Sequence, residues 1–102
     1  MILFEWDENK NSSNINKHKI DFEEASTVFY DENALMIYDD EHSETEERFI
    51  LIGFSWMARM IVVCHCYRQK DNNSDVVIRL ISARKATKRE TEQYLEGITD
   101  ER

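Results

Sequence analysis

Three arginines fall on or beside the predicted strands of this chain, and their side chains could bind an anion. Arg59 and Arg79 stand among β-branched and apolar residues, and Arg84 follows Arg79 by five positions. A guanidinium group is always charged, and its planar donors match the oxygens of a phosphate or a carboxylate. If the three side chains converge on one face of a sheet, they form a grip for a phosphodiester. The 21 acidic residues leave a second interpretation open, in which each arginine pairs with a carboxylate.

A polar face on the first predicted helix supplies further groups for phosphate binding and proton transfer. Lys10, Asn14, Lys17 and His18 follow one another at spacings of four, three and one, which places them on one side of a helix. Such a face often contacts only water, but amide, ammonium and imidazole groups can also contact phosphate. His18 is the best titratable candidate by residue type.

Aromatic side chains offer a further kind of contact, because they can stack on nucleobases. The candidates are Trp6, Trp56 and Tyr67. Aromatic residues in a domain of this size also fill the core or its rim, and residue type alone leaves both roles open.

The tripeptide Cys64-His65-Cys66 resembles a set of metal ligands when it is read as a linear sequence. Side chains alternate across a strand, so His65 points away from both cysteines and one ion cannot reach all three. We therefore predict two core cysteines opposite a surface histidine, with neither a metal site nor a cofactor. His42 lies in an acidic run, 39–47, which is more typical of a solvated loop than of an ion site.

The cations are concentrated in one part of an acidic chain. The formal net charge is -8, yet residues 59–92 contain eight Lys and Arg against four acids, whereas residues 1–50 contain four against fourteen. Segment 76–90 runs from an apolar strand with spaced arginines straight into a basic helix start. An anionic ligand responds to the local patch rather than to the net charge, so the sequence predicts a cationic surface there.

Length and composition predict a single domain, residues 1–102. Hydrophobic residues at 41% and charged residues at 33% exclude a disordered chain, and no apolar run reaches the roughly 18 residues that span a membrane. The first ten residues contain three acids and no cationic segment before an apolar one, so we expect no signal peptide. The two cysteines lie too close on one strand for an unstrained disulfide, which fits a reducing compartment. We expect a cytoplasmic protein.

Hydrophobic periodicity and capping residues predict an α+β fold with the order β-α-α-β-β-β-β-α. The last four strands are joined by short polar turns, one of them over 70–75, which favours an antiparallel meander. The predicted elements are a strand over 2–6, a helix from the cap Asp7 to about His18, a short helix with an Asp21–Glu24 capping box, strands over 34–38, 48–55, 59–68 and 76–84, and a helix from the Thr87–Glu90 capping box to about Gly97.

We expect the helices to cover one face of the sheet and to leave the other available, since this is the simplest way to bury the strands. In a regular strand Arg79 and Arg84 point to opposite faces. Both can serve one phosphate only if the strand ends or bends near Ser82-Ala83. We therefore expect Arg84 at the strand terminus, beside the cap at Thr87. If Arg84 instead pairs with a carboxylate of that helix, Arg59 and Arg79 must carry the site.

Several short motifs follow one another over nearly the whole chain. They are Phe4-Glu5-Trp6-Asp7, Asn14 with Lys17-His18 and Ile20, Phe22-Glu23-Glu24-Ala25 with Val28-Phe29, Glu47-Arg48-Phe49 with Ile52-Gly53, and Ile78-Arg79-Leu80-Ile81-Ser82-Ala83-Arg84-Lys85-Ala86-Thr87. In this order they resemble the BrnT family of toxins from bacterial type II toxin–antitoxin systems.

The resemblance implies a RelE-like ribonuclease fold, a compact antiparallel sheet with helices. It also implies an endoribonuclease that cleaves RNA and arrests translation and growth. The implied partner is a small antitoxin, usually with a ribbon-helix-helix DNA-binding region, which neutralises the toxin in a hetero-oligomer. The toxin would then reach operator DNA only through the antitoxin, and it would need neither a membrane nor a cofactor.

The chemistry that the resemblance implies is metal-independent attack of the RNA 2′-hydroxyl on the adjacent phosphate, which restricts cleavage to RNA. A base removes the hydroxyl proton, cations stabilise the phosphorane and an acid protonates the departing 5′ oxygen. Arg59, Arg79 and Arg84 suit the electrostatic role, with Lys17 as a fourth cation. His18 is the first choice for acid or base, and Lys17 and Tyr67 are the reserves.

A nonenzymatic protein-binding module is the alternative function. In that case the cationic face holds an acidic protein segment or folds together with a partner chain. Growth arrest and RNA cleavage by the chain alone distinguish the ribonuclease from the binding module.

Overall fold

The structure is a computed structural model that describes residues 1–68 and 75–100, without the side chain of residue 100. The order of helices and strands is the predicted one, with two short 3-10 segments added at Val28–Tyr30 and Asp40–His42. The turn predicted over 70–75 lies outside the described residues except for Asp75. The main elements are β1 (Ile2–Glu5), α1 (Glu8–His18), α2 (Phe22–Thr27), β2 (Leu35–Tyr38), β3 (Phe49–Phe54), β4 (Met60–Arg68), β5 (Val76–Lys85) and α3 (Lys88–Asp100).

The five strands form one mixed sheet in the order β1-β5-β4-β3-β2. Strands β2 to β5 pair antiparallel in sequence order, which confirms the predicted meander. The expectation of a wholly antiparallel sheet is wrong, because β1 pairs parallel with β5 through the register Ile2↔Val76 to Glu5↔Arg79. The helices α1 and α2 lie between β1 and the meander in the chain, and such a crossover allows parallel pairing.

Side chains at the predicted positions cap the helices. The carboxylate of Asp7 accepts a hydrogen bond from the Asn9 amide at 2.8 Å, and that of Asp21 accepts one from the Glu24 amide at 2.7 Å. Thr87 and Glu90 form both bonds of a capping box, at 2.8 and 3.2 Å. The predicted Asp21–Glu24 box is only half formed, because the Glu24 carboxylate turns away to bind other side chains.

The first face of the sheet packs against α1 and α2. Side chains from β4 and β5 on this face, including Val63 and Leu80, join Phe22 and Val28 in the largest buried apolar cluster. Burial of such side chains contributes roughly 1.5–3 kcal/mol each to folding. This cluster therefore fixes α1 and α2 against the sheet.

The second face is partly covered by α3, so the prediction that all helices share one face is wrong. Tyr94 of α3 is buried against Ile52 and Val62, which point away from the first face. The Tyr94 hydroxyl donates to Asp31 Oδ2 at 2.8 Å, and burial together with that carboxylate raises the pKa of Tyr94 to about 12. This anchor holds α3 over the sheet, and the helix runs past Gly97, where the sequence predicts its end, to Asp100.

His65 is buried, not on the surface as the alternation of β4 predicts. Its ring lies 4.8 Å from the ring of Phe29 and 5.3 Å from that of Tyr67, measured between centroids. Burial lowers the pKa of His65. The alternation itself is correct, but β4 is a central strand with aromatic side chains over its first face. Cys66 is buried and Cys64 is half-buried, as expected of core cysteines.

No helix in the described part of the chain is both long and apolar enough to cross a membrane.

Candidate active site

Asn14 joins α1 to β5 at a place where β5 has lost its neighbour on one side. Strand β1 pairs with β5 only as far as Arg79, so the following residues of β5 have a free edge. The Asn14 amide nitrogen donates to Ala83 O at 2.8 Å, and the Ala83 amide donates to Asn14 Oδ1 at 3.0 Å. The side chain thus replaces a strand partner. Asn14 is only 6% exposed, and it is committed to this role and not to a phosphate.

A groove lies beside this junction, between α1 and the end of β5. It consists of two adjoining depressions of about 390 and 560 Å³, which share Lys17 and His18. We call it the edge groove. Its lining residues are Asn9, Lys10, Ser13, Asn14, Lys17, His18, Lys19, Ile81, Ser82, Arg84, Lys85 and Thr87.

The edge groove is strongly cationic. Five Lys and Arg side chains line it, and none of the lining residues is acidic. Lys19 ends α1 in the left-handed conformation, with φ 60°, and so the chain turns sharply at the rim of the groove. Cations in a concave, partly desolvated surface attract an anion more strongly than dispersed surface charges do.

Arg84 lies at the end of β5 beside the Thr87 cap, as expected. Its guanidinium donates two hydrogen bonds to the Glu90 carboxylate, each 2.8 Å long. This pairing lowers the pKa of Glu90 to about 2 and raises that of Arg84. Arg84 therefore forms the ion pair with the helix that would leave the site to Arg59 and Arg79. It nevertheless remains 42% exposed and lines the edge groove, whereas those two arginines do not.

A bulge in β5 changes the direction of its arginines. Cys64 pairs with Ser82 but His65 pairs with Leu80, so Ile81 is an extra residue on β5. Arg79 lies opposite Cys66, and Arg84 lies opposite Val62, so both arginines are on the second face. The two arginines would point to opposite faces of a regular strand, but the extra residue, next to the predicted bend near Ser82-Ala83, shifts the alternation.

A second depression, of about 290 Å³, opens on the second face next to Arg84. We call it the sheet-face cleft. Arg84 and Ser82 line both this cleft and the edge groove, so the two are continuous. Its lining residues are Asp39, His42, Arg48, Ile50, Val62, Cys64, Ile81, Ser82 and Arg84.

Arg48 and His42 are cleft residues that the sequence did not indicate as site residues. His42 is 61% exposed and its Nδ1 lies 2.9 Å from Asp39 Oδ2. Arg48 Nη2 lies 3.7 Å from Glu46, and within the described residues its buried Nε has no hydrogen-bond partner. Alternation could have indicated Arg48, because it stands two positions before Ile50, which faces the same cleft.

Arg59 serves as a structural clip outside both depressions. Its Nε donates to Glu24 Oε2 at 2.9 Å, and an Nη2 hydrogen bond reaches the Lys19 carbonyl at 3.0 Å. Glu24 is buried and also accepts from the Ser55 hydroxyl at 2.6 Å. The hydrogen bond from Arg59 lowers the pKa of Glu24.

Arg79 and Tyr67 lie away from the groove. Arg79 Nη1 donates to Glu5 Oε2 at 3.1 Å, beside the β1 pairing. The Tyr67 hydroxyl is 3.9 Å from Met36 Sδ, and burial raises the pKa of Tyr67. Of the six predicted site residues, the structure brings together Lys17, His18 and Arg84, whereas the other three occupy separate places.

The described residues include no group of three or more His, Cys, Asp or Glu side chains placed to hold a metal ion. Cys64 and Cys66 share one face of β4, and burial raises the pKa of both thiols. What the edge groove can offer a ligand is therefore positive charge, hydrogen-bond donors and one imidazole.

The fold is similar to that of a small ribonuclease toxin of known structure. The crystal structure of the Brucella abortus ribonuclease toxin BrnT, solved at 1.1 Å, matches it with a TM-score of 0.56 and 26% sequence identity, over 86% of this chain and 99% of that one. The family model for the ribonuclease toxin BrnT of type II toxin-antitoxin systems matches residues 6–90, and the chain belongs to that family. No protein with a curated function matches the sequence. Membership in this family implies an antitoxin partner.

Proposed function

We propose that this chain is a metal-independent endoribonuclease that binds RNA in the edge groove and cleaves it by attack of a 2′-hydroxyl on the adjacent phosphate. The observation that carries the proposal is the convergence of Lys17, His18 and Arg84 on one groove without acids. These residues come from α1 and from the end of β5, and only folding brings them together. A polyanion with a reactive 2′-hydroxyl suits such a site.

The cations hold and stabilise the phosphate. Lys17, Lys19 and Lys85 provide ammonium groups, and Arg84 provides guanidinium donors fixed in place by Glu90. During attack, the O2′–P bond forms and negative charge accumulates on the phosphorane oxygens. Fixed cations stabilise that charge more than they stabilise the ground state, which accelerates the reaction.

His18 and Lys17 carry the two proton transfers. A base takes the proton from the 2′-hydroxyl, and an acid gives one to the 5′ oxygen as the P–O5′ bond breaks. The products are a 2′,3′-cyclic phosphate and a 5′-hydroxyl, and the proton balance closes without a metal. Histidine is the residue type most often used for such transfers, so His18 is the first choice and Lys17 its partner. Tyr67 lines neither the edge groove nor the sheet-face cleft.

The sheet-face cleft receives the nucleotide next to the cleaved bond. Arg84 lies between the two depressions, so an RNA strand that contacts it can extend into the cleft. The apolar floor of Ile50 and Val62 suits a base, and Arg48 on the rim suits a phosphate. We therefore place one flanking nucleotide there.

The biological role follows from the family. We propose that the toxin arrests translation and growth in the cytoplasm, and that a ribbon-helix-helix antitoxin neutralises it in a hetero-oligomer. Operator DNA is then contacted through the antitoxin alone. We also assign the fold to the RelE-like group, with two helices on one face of the sheet as the supporting feature.

A nonenzymatic binding module remains the second candidate, and one observation favours it. Each of the three predicted arginines pairs with a carboxylate, namely Arg59 with Glu24, Arg79 with Glu5 and Arg84 with Glu90. A folded chain that binds partners but cleaves no RNA would fit these pairings.

Induction in cells separates the two functions. We expect the wild-type chain alone to stop growth and degrade RNA, and co-expression of the antitoxin to prevent both. A Lys17→Ala/His18→Gln variant should be folded and harmless, because it lacks the proton-transfer groups. Lys88→Ala removes one exposed cation outside the groove and should stay toxic. Full toxicity of the folded double variant would exclude the edge groove as the active site.

A further inference from the structure

Strand β2 is a short edge strand, and its own residues include none of the charges or prolines that often protect an edge. It is the last strand of the sheet, and its four residues, Leu35–Tyr38, are all apolar or aromatic. Sheet edges in soluble proteins usually carry a charge, a proline or a bulge that prevents pairing with another chain. None of these interrupts β2, so its edge is suited to receive a further strand.

The backbone of β2 presents hydrogen-bonding groups to that free side. The amide of Asp39 donates to Arg48 O at 2.9 Å, just beyond the paired residues Tyr38 and Phe49. Inward and outward positions alternate along an antiparallel pair, so Leu35 and Ile37 bond to β3. Met36 and Tyr38 therefore direct their N–H and C=O groups outward, where no described residue bonds to them.

The side chains beside this edge are exposed and apolar. Met36 is 42% exposed and Tyr38 is 43% exposed. The Tyr38 ring packs against Phe49 at 5.4 Å, and Tyr67 contacts Met36, which extends the apolar surface inward over β3 and β4. Aromatic residues and methionine are enriched in protein interfaces, so this surface suits an apolar partner.

Acidic residues flank the edge at both ends. No Lys or Arg occurs between Lys19 and Arg48, and this interval contains eleven of the chain's acids. Those beside β2 include the exposed side chains of Glu32, Asp40 and Glu41. They repel RNA, and they also oppose pairing of two copies of β2, since antiparallel self-pairing places one acidic flank beside the other. A partner that binds at this acidic edge should therefore be a cationic polypeptide.

We propose that the outer edge of β2 binds an extended segment of the antitoxin, which adds a sixth strand to the sheet. The segment would alternate apolar side chains over Met36 and Tyr38 and carry Lys or Arg at both ends, opposite the acids. Main-chain hydrogen bonds would supply affinity and the flanking charges would supply specificity. The proposal rests on family membership and not on the ribonuclease mechanism, because binding needs no RNA.

Proline substitution tests the edge directly, with the cognate antitoxin that family membership implies as the probe. Met36→Pro removes an outward N–H without removing a bond to β3, and an edge strand tolerates proline. We expect Kd for the antitoxin to rise at least about tenfold, because a hydrogen bond is lost and the ring obstructs the added strand. Met36→Ala keeps the N–H and removes only the side-chain contact, so it should raise Kd clearly less than Met36→Pro does. Thermal unfolding and RNA cleavage check that both variants are folded.

Amide hydrogen exchange tests the unaltered chain, so the outcome does not depend on whether a variant folds. Binding should slow exchange at Met36 and Tyr38, whereas Leu35 and Ile37 are already bonded to β3. Glu32→Lys with Asp40→Lys should weaken binding, and added salt should weaken binding of the wild type. Unchanged exchange at both outward amides, or a homodimer of the toxin formed through β2, would overturn the proposal.

Discussion

Residue scale. His65 shows how a position in the sheet determines the protonation of a side chain. The imidazole is fully buried among Phe29, Phe49 and Tyr67, and its Nε2 has no hydrogen-bond partner within the described residues. Burial in such surroundings disfavours the charged form and lowers the pKa of His65 below its ordinary value of 6.5. The folded state therefore favours the neutral ring.

The consequence is a pH-dependent stability. In the unfolded chain His65 takes up a proton at its ordinary pKa, whereas in the folded chain it does so only at lower pH. The contribution of neutral His65 to the free energy of unfolding is thus complete above about pH 6.5 and is lost as pH falls towards the pKa of His65 in the folded chain. We predict that urea unfolding at pH 7.5 and pH 5 shows a larger loss of stability for the wild type than for His65→Phe. The other two histidines are present in both proteins, so they cancel in the comparison, and equal losses would contradict the prediction.

The arginine pairings show what residue type can and cannot predict. Arg84 and Glu90 are six residues apart, and Glu90 belongs to the capping box with Thr87, so that pair could be anticipated from local sequence. The partners of Arg59 and Arg79 are Glu24 and Glu5, far away in the chain. With 21 acids to choose from, only the tertiary arrangement selects those two.

Element scale. Asn14 connects a helix to a strand by imitating a strand itself. Its amide makes three hydrogen bonds, two with Ala83 and one from Nδ2 to Ile20 O at 2.9 Å. This junction sets the distance between α1 and β5, and therefore the shape of the edge groove. The helical spacing correctly placed Asn14 beside Lys17 and His18, but a free edge on β5 could not be foreseen.

Removing the Asn14 amide should loosen this junction. We predict that Asn14→Ala lowers the free energy of unfolding by about 2–4 kcal/mol, because buried backbone groups of Ala83 and Ile20 lose their partners. Asn9→Ala, at an exposed position of the same helix, should cost less than about 1 kcal/mol. Urea titration measures both values, and similar losses for the two variants would show that the Asn14 bonds contribute little.

Local sequence signals correctly predicted the helices and strands, whereas the pairing of distant strands and the position of α3 were not predicted correctly. Capping side chains such as Asp7 act within a few residues, so the starts of the helices could be predicted from sequence. Nothing local specifies that β1 pairs parallel with β5, or that Ile81 forms a bulge. The position of α3 on the second face also depends on a distant contact, between Tyr94 and Asp31.

Whole-molecule scale. The distribution of charge, and not its sum, makes this acidic protein compatible with RNA. The chain carries a net charge of -8, yet the edge groove has five cationic side chains and no acidic one among its lining residues. Two of these five cations, Arg84 and Lys85, lie in the basic segment 76–90 that the sequence indicates. The lysines of α1 belong to the acidic part of the chain, and they join the cationic groove only because α1 packs on β5.

The proposed antitoxin-binding edge of β2 carries the opposite charge to the edge groove. Acids surround β2, whereas cations surround the end of β5, and β2 is separated from β5 by β3 and β4 in the sheet. One molecule can therefore present an anionic strand edge to a cationic partner and a cationic groove to RNA. The two activities should respond separately to substitutions at the two places.

The most direct test of the central claim is the chemistry of the RNA ends that the purified toxin produces. An RNA oligonucleotide and its 2′-O-methyl counterpart are incubated in the presence of EDTA with toxin separated from the antitoxin. We predict fragments that end in a 2′,3′-cyclic phosphate and a 5′-hydroxyl, no cleavage of the methylated strand, and cleavage slower by about 10²- to 10⁴-fold in Lys17→Ala/His18→Gln. Fragments with 5′-phosphates, or an unchanged rate in that folded variant, would contradict the claim.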